Sequence, residues 1–245
     1  MENRRLDSPH PIPILRVMRH TILIPDETRA RLAGYLASLR SGAVYAGERL
    51  KQNLRRSDPA ALTEAAFLDV LINTKVPQIF AESAVAGDGS DWNLTELGIL
   101  GDISIAVPVT VFDYGNHTTP VAHTEPFPGT LIFTPGALLQ NGRGKIPADL
   151  MEVTRPDGTL SPDGYFRLYE RRLLPVFRHA DACAAAQGKT ALLTIPGLGC
   201  GSSTSAVLAP TSCSAVPPSS AVVTVQLVPL KLAYCRIVFV PVWVR

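Results

Sequence analysis

An α/β sheet flanked by helices is the fold class that this sequence predicts, and three stretches carry the prediction. Asp102 to Phe112, DISIAVPVTVF, is apolar and β-branched, the composition of a strand buried on both faces. Tyr165 to Gln187, YFRLYERRLLPVFRHADACAAAQ, reads as a helix despite Pro175 and ends at Gly188, a residue suited to closing one. Ala191 to Ile195 is an apolar run of strand length that breaks at Pro196 into Gly197, Gly199 and Gly201. Strands alternating with helices argue for a sheet with helices packed on it.

Composition narrows the classes. The 245 residues fit one large domain, or one domain with an added lobe. With 46% hydrophobic and 18% charged residues the chain can bury a core, while its 21 prolines predict interrupted elements. A formal charge of +2 selects no partner. The basic run Glu48 to Arg56, ERLKQNLRR, lacks interleaved aromatics and reads as a solvated helix face, so no nucleic-acid partner is expected. Cys183, Cys200, Cys213 and Cys235 form no CxxC pair, so no zinc ribbon or thioredoxin motif is spelled out and a reducing compartment is expected. The opening MENRRLDSPHPIP lacks the apolar core of a secretory signal. Ala221 to Val244 is long and apolar, but Pro229, Lys231, Arg236 and Pro241 interrupt it. The expectation is a soluble, cytoplasmic chain with no membrane partner. Nothing in the sequence selects an oligomeric state.

The elements follow in order. Residues 1–13 read as an unstructured leader and 14–99 as a mostly helical N-terminal part, opening with a strand at Leu15 to Ile24. DETRARLAGYLASL sets Leu32, Tyr35, Leu36 and Leu39 on one helical face, with Asp26 as its N-cap. Asp58 and Pro59 open a second helix that carries Leu62, Ala65, Ala66, Leu68 and Leu71 or Ile72 and stops before Pro77. Ala84 to Trp92 is a loop, and Leu94 to Leu97 a short helix. Residues 100–201 form the core: the strand Asp102 to Phe112, bent or bulged at Pro108; a polar loop, Asp113 to Pro128; a strand, Thr130 to Thr134, ending at Pro135 and Gly136; then the long helix and the glycine-terminated strand.

The tail, 202–245, departs from what precedes it. It opens SSTSAVLAPTSCSAVPPSS and contains no Asp, Glu, Asn or His. Val222 to Val228 and Leu232 to Val240 have strand character, but the helix that should follow a phosphate-cradling loop is missing. The expectation is a tail foreign to the domain, from a shifted reading frame or an unspliced junction, with the sheet incomplete at its C-terminal end.

Chemistry concentrates in three strand-terminating loops: FDYGNH (Phe112 to His117), TPG (Thr134 to Gly136) and PGLGCG (Pro196 to Gly201). In an open parallel sheet these loops would line one crevice. Gly197, Gly199 and Gly201 carry little bulk, so successive N–H groups there can converge on phosphate oxygens. The stretch is neither a P-loop, which needs GxxxxGK, nor a Rossmann turn, which needs a helix and an acidic residue downstream. His117 and His123 lack a third ligand at metal spacing, so no metal and no cofactor are expected.

Taken together, the ordered motifs resemble a divergent macrodomain, a fold that binds ADP-ribose. Gly101, Asp102, Ile103 and Ser104 are similar to the family's Gly-Asp-Ile-Thr segment. Asp113, Tyr114, Gly115 and Asn116 stand where its Asn-Ala-Ala-Asn follows, Phe133 to Pro135 are similar to a later Thr-Pro strand end, and Thr194 to Gly201 are similar to its second phosphate loop. The FDYGNH and glycine loops look most like macrodomain-like ADP-ribosyl hydrolases among bacterial effectors. Two features depart from the pattern: HTTPVAHTEPFPG replaces the usual glycine run, and Asp113 replaces the first Asn.

The resemblance implies a three-layer mixed sheet with flanking helices and a helical N-terminal extension. It implies that Asp102 holds the adenine amino group, that Asn116 faces the distal ribose, that Gly197, Leu198, Gly199, Cys200 and Gly201 wrap the diphosphate, and that Ile103, Gly115 and His117 also bind the ligand. The partner implied is ADP-ribose or an ADP-ribosylated protein. Asp113 is open to two readings, a carboxylate that activates water at the glycosidic bond with Asn116 beside it, or a turn cap. Three functions follow: an ADP-ribosyl hydrolase, a non-catalytic ADP-ribose-binding module, or an inactive truncated or frameshifted copy.

Overall fold

A computed structural model describes residues 20–55, 58–75, 91–113, 123–139, 147–196, 224–228 and 236–242. The leader, the loops 114–122 and 197–201 and the start of the tail lie outside them. Twelve elements follow in the order β1 (Thr21–Leu23), α1 (Asp26–Arg40), α2 (Glu48–Leu54), α3 (Glu64–Ile72), α4 (Leu94–Gly101), β2 (Ser104–Val111), β3 (Phe127–Phe133), α5 (Leu150–Val153), α6 (Pro162–Ala185), β4 (Thr190–Pro196), β5 (Thr224–Val228) and β6 (Arg236–Val242). The strands form one sheet in the order β1-β2-β3-β6-β4-β5.

Three layers result, as expected. Strand alternation sorts the side chains to opposite faces. Ile22, Ile103, Ile105 and Val107 join a core cluster with Leu32, Leu36, Leu50, Phe67, Leu71 and Ile99 of the first four helices. Leu23, Ala106, Ile132, Leu193 and Ile195 pack instead with Val176, Ala180 and Ala184 of α6. Each fully buried Leu or Phe stabilises this sandwich by about 1.5–3 kcal/mol relative to exposure.

The helix starts differ from expectation. Asp26 is the first helical residue rather than the cap; Pro25 holds the extended N-cap position without a side-chain bond. The second predicted helix begins at Glu64, where the Thr63 hydroxyl accepts from the Ala66 N–H, while Asp58 instead caps a local turn through the Ala60 N–H. Both starts carry cap chemistry, and the one adjoining the apolar run wins. Two helices are longer than their periodicity suggested. α4 extends to Gly101 behind a capping box between Asn93 and Glu96, and α6 starts at Pro162 behind the Ser161 cap. Among the described residues strand β1 spans Thr21–Leu23, and positions 15–19 of the predicted strand lie outside them. The two strand-like stretches of the tail do enter the sheet as β5 and β6.

Glu96 shows how the N-terminal helices are tied together. Its buried carboxylate accepts from the Tyr35 hydroxyl at 2.7 Å, the Gly47 N–H at 2.8 Å and the Asn93 N–H at 3.1 Å. These bonds join α1, the start of α2 and the start of α4 in one cluster, and burial first, then the Glu96 carboxylate, pushes the Tyr35 hydroxyl well above its ordinary pKa.

Strand direction overturns one expectation. Only β4 and β5 run parallel; every other pairing is antiparallel. Phe133 pairs with both Ile105 and Arg236, and Thr194 shares the partner Val238 with Leu131. The start of β2 and the ends of β3 and β4 therefore lie at one edge of the sheet, and the end of β2 at the other. The three candidate loops do not leave from a common edge, because consecutive β2 and β3 form an antiparallel pair rather than a parallel crossover.

Candidate functional site

The edge shared by β2, β3 and β4 holds a charged cluster centred on Asp102, which is 1% exposed. The Thr28 hydroxyl donates to Asp102 Oδ2 at 2.7 Å, the Arg171 Nε to the same oxygen at 2.9 Å, and Arg31 also pairs with it. The other oxygen accepts from Arg172 Nε at 3.0 Å. Thr28 and Arg31 come from α1, on one face of the sheet, and Arg171 and Arg172 from α6, on the other. One carboxylate thus ties both helical layers to the start of β2. Burial raises its pKa, but the charges of Arg172 and Arg171, with hydrogen bonds from Arg171 and Thr28, outweigh burial and hold the carboxyl below its ordinary value.

Arg172, also 1% exposed, extends the cluster. Its Nη2 donates to Asp149 Oδ1 at 2.8 Å and its Nη1 to the Gly136 carbonyl at 2.8 Å. Glu152 pairs with Arg171 at the rim. Lys75, also buried, donates from Nζ to the Leu100 carbonyl at 3.2 Å. Burial, and then the charge of Arg172, lower its amine to about 7 from an ordinary 10.5. The Ser104 and Thr134 hydroxyls, 3.0 Å apart, join the start of β2 to the end of β3.

Of the predicted site residues, Asp102 and Ile103 lie at this edge, but Ile103 is 3% exposed within the helical core. The oxygens of Asp102 are turned to hydroxyl and guanidinium groups of the protein. Asp113 stands half-buried just past β2, where its Oδ2 accepts from the His123 N–H at 3.1 Å. That bond joins the two ends of the loop. The eight residues of β2, at ~3.3 Å each, set Asp102 and Asp113 about 25 Å apart. Gly115, Asn116, His117, Gly197, Leu198, Gly199, Cys200 and Gly201 lie outside the described residues. No group of three potential metal ligands occurs among the described residues, and no described helix is long and apolar enough to cross a membrane.

Sequence reasoning missed Arg171, Arg172 and Asp149. One signal was present: Leu168, Arg172, Val176, Ala180 and Ala184 recur every fourth residue on the buried stripe of α6, so an arginine occupies a core position of an otherwise apolar pattern. A buried arginine demands carboxylate partners.

A family model, that of the macrodomain effector MavL, matches residues 20–207. The chain belongs to this macrodomain effector family. The match takes in the first helices, the Asp102 cluster, Asp113 and the glycine-bearing stretch, so the resemblance read from the motifs holds for the chain as a family member. Family membership brings ADP-ribose-related binding or hydrolysis as the class of function. No curated protein matches the chain.

Proposed function

We propose that the chain binds ADP-ribose carried on modified proteins, at the sheet edge where β3 and β4 end. The family match over residues 20–207 carries this reading. The geometry adds to it: β4, which Gly197–Gly201 follow in the sequence, ends at the edge where Asp102, Arg171 and Arg172 hold both helical layers in place. Backbone donors of a glycine-rich loop suit a diphosphate. Titration of the folded protein with free ADP-ribose tests it directly.

Hydrolysis is the second reading, and it rests on the resemblance alone, because Asp113 stands at the sheet edge opposite the ends of β3 and β4. This residue heads the loop that carries Asn116, which the resemblance sets at the distal ribose. In the reaction, water attacks the anomeric carbon and passes a proton to Asp113. The bond to the modified side chain breaks with its electron pair, and the leaving atom takes a proton from solvent. Asp113→Asn is expected to keep wild-type affinity for ADP-ribose, since the diphosphate cradle is untouched. A fall of about 10²–10⁴ in the release of ADP-ribose from a modified protein would assign Asp113 as the base. Release at the wild-type rate would leave it as the bond that closes its loop.

A further inference from the structure

The irregular segment that follows β3 is held at three successive residues by the buried side chains of Arg172 and Asp149 and the partly buried Tyr169. The Gly136 carbonyl accepts from Arg172 Nη1 at 2.8 Å, the Ala137 N–H donates to the Tyr169 hydroxyl at 3.0 Å, and the Leu138 N–H donates to Asp149 Oδ2 at 2.7 Å. Tyr169 and Arg172 stand one turn apart on α6, and the Tyr169 ring packs against Tyr165 with centroids 4.8 Å apart. Arg172 in turn bonds Asp149 and Asp102, so the holding groups are themselves fixed. Burial first, then Tyr165, pushes the Tyr169 hydroxyl well above its ordinary pKa, so it is neutral at physiological pH. Ala137 is 5% exposed and its neighbours are partly buried, so protein groups and not water hold these backbone atoms.

From this clamp we infer that Tyr169, Arg172 and Asp149 are positioning residues that set the backbone of residues 136–138 in its ligand-ready conformation. The inference rests on the ADP-ribose reading above, because this segment leaves the same sheet edge as the glycine-bearing stretch. None of the three side chains is assigned a contact with the ligand. Their effect is that the ordering cost is met during folding instead of during binding.

Calorimetric titration of the full chain with ADP-ribose, run beside thermal melts, tests the clamp through two variants. Tyr169→Phe removes one hydroxyl and keeps the ring. It is expected to melt about 2–8 °C lower, because the buried Ala137 N–H loses its acceptor, and to bind ADP-ribose about 3- to 10-fold more weakly, with the loss in the binding entropy. Arg172→Lys keeps the charge but not the fork, and is expected to weaken binding further if it folds. Wild-type protein that folds and binds no ADP-ribose would remove the functional reading and the clamp's role with it. Wild-type protein that binds, with Tyr169→Phe matching it in affinity and entropy, would overturn the clamp alone.

Discussion

Asp102→Ala is expected to destabilise the protein by about 3–5 kcal/mol, the usual cost of removing one partner from a buried ion pair. Total stabilities of domains are about 5–15 kcal/mol, so much of the variant would be unfolded under mild stress. Removing the carboxylate takes the acceptor from Arg172 Nε, Arg171 Nε and the Thr28 hydroxyl and one partner from Arg31, while Arg172 keeps Asp149 and the Gly136 carbonyl and Arg171 keeps Glu152. Arg172 fares worst, because at 1% exposure it has no water to turn to. Urea denaturation of the two proteins side by side measures the difference. The wild type carries a pH signature of the same residue. The folded-state pKa of Asp102 is lowered, so its contribution is complete above the unfolded value of roughly 3.9 and is lost as pH falls through the folded value. The gap between the two proteins should therefore narrow below about pH 4. A variant that kept the wild-type midpoint and lost only affinity for ADP-ribose would show that the carboxylate serves the ligand and not the fold.

Gly101→Ala should destabilise by about 1–3 kcal/mol, against the sign that helix propensity gives. Gly101 ends α4 and is not among the described glycines with positive φ, so alanine meets no backbone strain there. Propensity alone would favour alanine by up to about 1 kcal/mol. An added Cβ, however, would lie 2.8 Å from Arg172 Nη2. That nitrogen belongs to a buried guanidinium bonded to Asp149 and Gly136, and it cannot swing away without breaking those bonds. The same urea experiment decides the sign. A neutral or stabilising result would mean that Arg172 is loosely held and would weaken the positioning role assigned to it.

The elements of this fold were legible where pattern is local. Asp102 to Phe112, the long helix and Ala191 to Ile195 were found because β-branched runs and helical periodicity need no partner to be seen. Strand direction was not legible. An apolar strand buried on both faces reads alike in a parallel or an antiparallel pair, and only the register of Ile105 with Phe133 reveals that β3 turns back. That is why loops expected in one crevice leave the sheet from opposite edges.

The candidate site divides along the same line. Motif order was enough to reach the macrodomain family, since the Gly-Asp-Ile and glycine-bearing segments keep their sequence order. The charged cluster was out of reach, because Arg172 lies 70 positions from Asp102 and joins it only through the packing of α6 on the sheet. The resemblance singles out Asp102 as a ligand contact, and the structure adds that both helical layers converge on its carboxylate.

Calorimetric titration of the folded, full-length chain with free ADP-ribose tests the central reading most directly. Saturable binding at one site per chain, with Asp113→Asn binding as tightly as the wild type, is the expected result. A protein that melts cooperatively but gives no heat with ADP-ribose would contradict it.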